Sequence, residues 1–452
     1  MKFEFKNREF YKKTLILMLP VVLQQLITIG INFTDNIMIG GFGEIQISAA
    51  SFSNQFYSLF QFVCMGLGSG AVVMSSQFWG RGELQSMRIT AAIAARVTAV
   101  ICVLFTLMTG LFPHRVMLLF TNDARIIEVG IPYVRLIGFT FLLAGLTSTA
   151  TYLLRSVGQV KVPLIGSGIA FFVNLFFNWV FIFGKFGLPR LELFGAAVGT
   201  VIARVFEFCF IFGYFALRDD RIGFRLRHFA LPGGKLVGEY IRFVVPVIIS
   251  DTLLGLSLML SGMIIGHIGE EMSAASAIVN SAVQVITVLN MGMAGASAIV
   301  IGNTIGSGDI DRAKREGNTY IVISVLFGLA VILPLILLEQ PYLSLYTITD
   351  STKSIALSML LCNYIMMPGQ TMAYVISKGI LRGGGDTRFL LIADSSMVWF
   401  VSLPLGALAG FYWHLSPFWI YFLLRIEYPL KGFLCLGRYI TGKWIKVIKG
   451  QG

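Results

Sequence analysis

Twelve apolar runs long enough to cross a lipid bilayer recur along this chain, and no other feature limits its fold so tightly. They occupy residues 14–39, 47–78, 89–112, 129–154, 163–184, 194–217, 239–266, 274–305, 316–338, 354–381, 389–412 and 417–440, called spans 1 to 12 below. A helix needs roughly 20 apolar residues to traverse the hydrocarbon. Every run meets that length, and the short connections between them carry Gly, Pro and charge. The expectation is an all-α integral membrane protein of twelve transmembrane helices.

Composition agrees. Only 13% of the residues are charged and the mean hydropathy is +0.79. A soluble surface uses about twice that charged fraction, so this surface faces lipid. The formal charge of +12 would suggest nucleic acid in a soluble protein. Here the basic residues mark topology instead. Lys and Arg crowd the N-terminus, the even-to-odd loops and the C-terminus, with a cluster at Arg218, Arg221, Arg225, Arg227, Lys235 and Arg242. The other loops hold only Arg115, Arg125, Lys185, Arg190 and Lys353. That asymmetry puts both termini in the cytoplasm of a bacterial inner membrane. The five cysteines lie in apolar segments with no disulfide or metal spacing. Span 1 follows a basic stretch like a signal peptide but runs too long and lacks a cleavage site, so it reads as retained.

The chain is duplicated. Pro20 matches Pro246, and Ile37–Gly40 (IMIG) matches Met263–Gly266 (MIIG), at an offset of 226. Met65-Gly66 matches Met291-Gly292, and Gly80 and Gly82 match Gly306 and Gly308, at the same offset. LRSVGQVK at 154–161 matches LRGGGDTR at 381–388 at an offset of 227. Each half carries six spans, so the halves have the same orientation, as two lobes about a pseudo-twofold axis along the membrane normal. The expected division is an N-lobe of residues 1–225 and a C-lobe of residues 226–452, with a cavity between them that opens to either side.

Ionisable groups inside a bilayer are expensive and therefore candidate sites. Asp35 lies about five residues from the outer end of span 1, roughly 7 Å inside at 1.5 Å per residue. Asn174 and Asn178 share one face of span 5. Asn178 and Thr200 of span 6 fall at the depth of Asp35. If spans 1, 5 and 6 pack together, these oxygens surround one carboxylate, which could hold Na⁺ or, when desolvated, a proton. Asp251, midway along span 7, is the repeat partner of Gln25, and both are candidates to face the substrate cavity. Asp394 of span 11 is a third, although its depth also suits a salt bridge to Lys378. Arg204 and Glu207 are placed to pair on span 6. Arg425 with Glu427 reads as a structural counterpart in span 12, with Lys431 a partner for Glu427, and Arg96 shows no partner. Pro20 and Pro246 are candidate hinges. With no Walker A motif, nucleotide loop or metal-ligand cluster, the energy should come from an ion gradient, without a cofactor.

At these residues the chain resembles the multidrug and toxic compound extrusion family. The likeness includes TDNIMIG ending span 1, QFWGRGE after span 2, YLLRSVGQVKVP after span 4, GAAVGT entering span 6 and ILRGGGDTRF before Asp394. It implies an H⁺- or Na⁺-driven antiporter that exports small amphipathic, often cationic compounds; the expected surroundings are the lipid bilayer and the expected state a monomer. It implies a cation site at Asp35, Asn174, Asn178 and Thr200. Many members have a second Asp where this chain has Asn178, leaving a single carboxylate here. Thr371 occupies the span 10 position that is acidic in some members. A flippase for lipid-linked saccharides is the alternative reading. It would want a strongly cationic cavity. An enzyme would need a catalytic cluster, and the four histidines lie only in loops and at span ends.

Overall fold

The computed structural model describes residues 2–450, and among the described residues every regular element is helical. Spans 1 to 3 are Arg8–Ile39, Glu44–Arg81 and Leu84–Leu111. Spans 5 to 9 are Lys161–Phe183, Glu192–Leu217, Lys235–Ile268, Glu270–Gly306 and Ile310–Leu343. Span 10 is Asp350–Tyr374, which widens into a π-helical stretch, Val375–Leu381. Span 11 covers Thr387–Tyr412 with two further π-helical stretches. Among the described residues nine helices are individually long and apolar enough to cross a membrane, and a bent pair makes a tenth. Span 10 falls outside that set because Ser354, Ser358, Asn363, Gln370 and Thr371 interrupt its apolar surface.

Two runs expected as single helices are broken. Span 4 consists of Ala124–Gly138 and Thr140–Ser156, bent by 45°. Thr106 of span 3 donates its hydroxyl to the Gly138 carbonyl at 2.9 Å, which satisfies an acceptor beside the bend. A Cβ on Gly138 would overlap Thr109, so the glycine permits the close approach. Span 12 is split into Pro417–Leu424 and Glu427–Ile440.

The described chain forms two compact units. One consists of residues 19–248 with the C-terminal tail, the other of the N-terminal residues up to Met18 with 249–448. Both boundaries fall inside a helix, two residues from Pro20 in span 1 and two from Pro246 in span 7. They do not fall in the loop at 218–234. The prolines interrupt otherwise continuous hydrogen-bond ladders at both places.

The 19–248 unit packs around aromatic side chains. Phe60 and Phe141 stack with centroids 4.5 Å apart, and Phe56 and Phe105 close around them. Spans 5 and 6 approach closely because GAAVGT presents glycines to span 5. A Cβ on Gly195 would come within 2.6 Å of the Phe181 backbone, and one on Gly199 would overlap the Asn178 amide. In the 249–448 unit, Gly383 lies against the Ala298 backbone, and a Cβ there would sit 2.5 Å from the Ala298 carbonyl. The N-terminal segment docks on span 9 of that unit. Thr14 and Tyr320 share a hydroxyl hydrogen bond of 2.7 Å, and Glu4 pairs with Arg315 at 2.7 Å.

Candidate functional site

The close contact of spans 5 and 6 builds a cage around Asp35. Asn178 Nδ2 donates to Asp35 Oδ1 at 2.5 Å and lies 3.2 Å from Asn174 Oδ1. Asn174 Nδ2 donates in turn to Thr200 Oγ1 at 3.4 Å. The cage sits near the C-terminal ends of spans 1 and 5 and near the start of span 6. All four residues expected there are brought together. Asn178 is 0% exposed, yet its Oδ1 has no hydrogen-bond partner. A buried acceptor without a donor is destabilising unless something electropositive reaches it. One carboxylate with amide and hydroxyl oxygens is hard-cation chemistry.

A polar chain runs along the same spans away from the cage. Arg204, one turn beyond Thr200, pairs with Glu207 at 2.5 Å. Ser167 Oγ donates to the other Glu207 oxygen at 3.0 Å and accepts from Gln24 Nε2 at 2.8 Å. Gln24 Oε1 accepts from Arg155 Nη2 at 2.5 Å. Sequence reasoning singled out Gln25, which is half-buried, whereas its neighbour Gln24 makes these bonds.

The 249–448 unit holds the counterpart. Arg382 forks onto Asp251 with bonds of 3.0 and 2.8 Å. Lys378, on the π-helical stretch, donates to Asp251 Oδ1 and to Asp394 Oδ2, both at 2.8 Å. Ser250 Oγ donates to Asp394 Oδ2 at 3.0 Å, and Lys431 lies 3.4 Å from Asp394 Oδ1. The side chain of Asp251 is 0% exposed and that of Asp394 only 6%. Lys431 therefore faces Asp394 as well as lying one turn from Glu427, and Arg425 donates to Asn280 at 2.8 Å. Arg96, for which sequence offered no partner, donates to the Leu231 carbonyl at 3.0 Å.

These two networks coincide in the repeat. At an offset of 227, Arg155 matches Arg382, Ser167 matches Asp394 and Arg204 matches Lys431, while Asp251 aligns at 226 with Gln25 and has its arginine bond mirrored by the neighbouring Gln24. The bonded counterpart of Asp251 is thus Gln24, one residue from the sequence pairing with Gln25. The signal was present in the 227 register of LRSVGQVK and LRGGGDTR, whose arginines are buried partners in these networks. Among the described residues no group of three or more His, Cys, Asp or Glu is placed to hold a metal ion.

Comparison with known proteins follows the same duplication. The MatE family profile matches residues 20–180 and 246–421, each copy opening on its proline. A probable multidrug resistance protein NorM of Thermotoga maritima is 22% identical over 443 residues, 97% of this chain and 94% of its own. A probable multidrug resistance protein NorM of Neisseria meningitidis serogroup B is 22% identical over 414 residues, 89% of this chain and 88% of its own. Among solved structures, a variant of the Vibrio cholerae MATE transporter VcmN superposes with a TM-score of 0.87 at 16% identity, covering 96% of this chain and 97% of that one. That likeness concerns the fold.

Proposed function

Since this chain belongs to the MatE family of multidrug and toxic compound extrusion transporters, we propose that it exports small amphipathic, often cationic compounds in exchange for inflowing Na⁺ or H⁺. It is a multi-pass membrane transporter and not an enzyme. We place it in the bacterial cell membrane with both termini in the cytoplasm, on the charge asymmetry of its loops. Its named relatives are multidrug resistance proteins, which supports drug-like substrates.

One observation carries the coupling assignment: the fully buried Asn178 amide, whose nitrogen donates to the Asp35 carboxylate while its Oδ1 has no hydrogen-bond partner. A cation seated between Asp35, Asn174, Asn178 and Thr200 would satisfy that oxygen and neutralise the carboxylate. A proton on Asp35 would neutralise it too and turn it into a donor. Pro20 and Pro246 lie where span 1 and span 7 pass from one compact unit to the other, which supports their role as pivots during alternating access. Asp251 and Asp394, candidates for the substrate cavity on sequence grounds, we read instead as a structural clasp, because Arg382, Lys378 and Lys431 occupy them. The same pairing weakens the flippase reading, since those cations already have carboxylate partners.

The test is efflux of ethidium from proteoliposomes under an imposed Na⁺ or pH gradient, comparing wild type with Asp35→Asn. Wild type should pump under one gradient and the variant, inserted and folded, under neither. An Asp35→Asn protein that pumps like wild type would refute the assignment.

A further inference from the structure

The polar chain below the cage contains a cation that the coupling reading does not use. Arg204 lies four residues after Thr200 on the same face of span 6, about 6 Å further along the axis. An arginine side chain covers that distance with its rotatable bonds. Its guanidinium sits 6.0 Å from the Tyr57 ring. It is held away from Asp35 by Glu207, whose second oxygen is fixed by Ser167. Among the described residues, the charged or titratable groups around Arg204 are Glu207 on its own span, Tyr57 on span 2 and, across the Asn178–Asn174–Thr200 bonds, Asp35 on span 1.

A guanidinium brought onto a carboxylate weakens its hold on Na⁺ or H⁺, because the like charges repel and the arginine already stabilises the ionised form. Asp35 and Glu207 thus compete for one arginine. We propose that Arg204 is the release switch of the Asp35 site: while Glu207 holds it, Asp35 is free to bind the coupling cation, and when Glu207 is neutralised Arg204 turns to Asp35 and expels that cation. Arg204 and Glu207 are positioning residues that act through Asp35. The inference rests on the reading of Asp35 as the coupling site.

The repeat supports a special role for this position. Its counterpart in the other unit, Lys431, stands beside Asp394, where Lys378 holds the opposite carboxylate oxygen. In the 19–248 unit the residue equivalent to Asp394 is the neutral Ser167. The pair expected as the counterpart of Arg204 and Glu207 is not formed, since Arg425 donates to Asn280 instead of Glu427, and at the 227 offset Glu207 falls on Leu434.

The experiment uses the full-length purified protein and ethidium as the probe. It reads the Na⁺ or H⁺ concentration that displaces half of the bound dye at equilibrium, together with gradient-driven efflux. Glu207→Gln should free Arg204 to occupy Asp35 and raise that concentration by at least about tenfold. The double variant Arg204→Gln with Glu207→Gln removes the competitor and should return it to within about threefold of wild type, while efflux stays impaired. An unchanged Glu207→Gln, or a double variant as weak as the single one, overturns the switch. Should Glu207→Gln fail to fold, Arg204→Gln decides alone: equal or tighter cation binding with slowed efflux supports the proposal, and weaker binding overturns it. Asp35→Asn is the control. A cation response that survives there refutes the Asp35 assignment itself, which is a different result from a responsive wild type, a silent Asp35→Asn and an unchanged Glu207→Gln.

Discussion

Asp394→Asn should unfold the protein earlier without touching its transport chemistry. In the wild type, Asp394 is the carboxylate between Lys378 at 2.8 Å and Lys431 at 3.4 Å. The amide keeps the Ser250 bond and the shape but removes the charge. Lys378 retains Asp251, also at 2.8 Å. Lys431, whose side chain is 4% exposed, loses the carboxylate it faces and is left near a second ammonium. Stranding one member of a buried ion pair costs about 3–5 kcal/mol, far more than the fraction of a kcal/mol a membrane hydrogen bond contributes on average. At about 2–4 °C per kcal/mol for a unit of this size, the thermal midpoint in detergent should fall on the order of 10 °C. Adding Lys431→Met removes the stranded cation, and the double variant should recover most of the loss. The two sites touch, so their effects should be strongly non-additive. Intrinsic tryptophan fluorescence during a thermal ramp measures both. The reasoning is refuted if Asp394→Asn melts within about 3 °C of wild type, or if the double variant is no better than the single. A variant that keeps its melting point but loses ethidium affinity would make Asp394 a substrate group after all.

Two further outcomes follow from the geometry. Gly199→Ala would push a methyl group into the Asn178 amide, an overpacking worth about 1–3 kcal/mol. It should weaken cation-driven dye displacement more than it lowers the melting point; an unchanged cation response would show that the Asn178 position does not matter for binding. Outside the membrane, the Arg315 hydrogen bond holds the Glu4 carboxyl below its ordinary range. A depressed folded-state pKa means the contribution is present above the ordinary carboxylate value and is lost as pH falls through the lowered one. Wild type and Glu4→Gln should therefore melt apart near neutral pH and converge below about pH 4. A gap that persists in acid would mean that the Glu4–Arg315 charge pair is not its source.

The apolar runs were legible because a helix that crosses lipid must be apolar over a fixed length, whatever it packs against. Its straightness is not recorded the same way. Span 4 bends 45° after Gly138, and span 12 breaks after Leu424, without changing the apolar count of either run. The bend depends on Thr106 and Thr109 of another span, which hydropathy along span 4 cannot see. The Asp35 cage was legible for the opposite reason: Asp35, Asn174, Asn178 and Thr200 are polar where lipid tolerates few polar groups, and their depths agree. Arg155 and Arg382 show where this logic fails. Counting charges per loop assigns them to the cytoplasmic side as topology, and their position at the span ends is right. Counting cannot tell which way a long side chain points, and both turn back into their own unit, toward Gln24 and Asp251. The repeat held that information, but only in the 227 register. Asp251 itself lies in the 226 register and aligns with Gln25, but the neighbouring Gln24 makes the equivalent bond to the arginine and starts the chain through Ser167 and Glu207 to Arg204. In a duplicated membrane protein, the register that matters is the one that aligns the buried charges, because a misplaced buried charge is penalised far more than a misplaced apolar side chain.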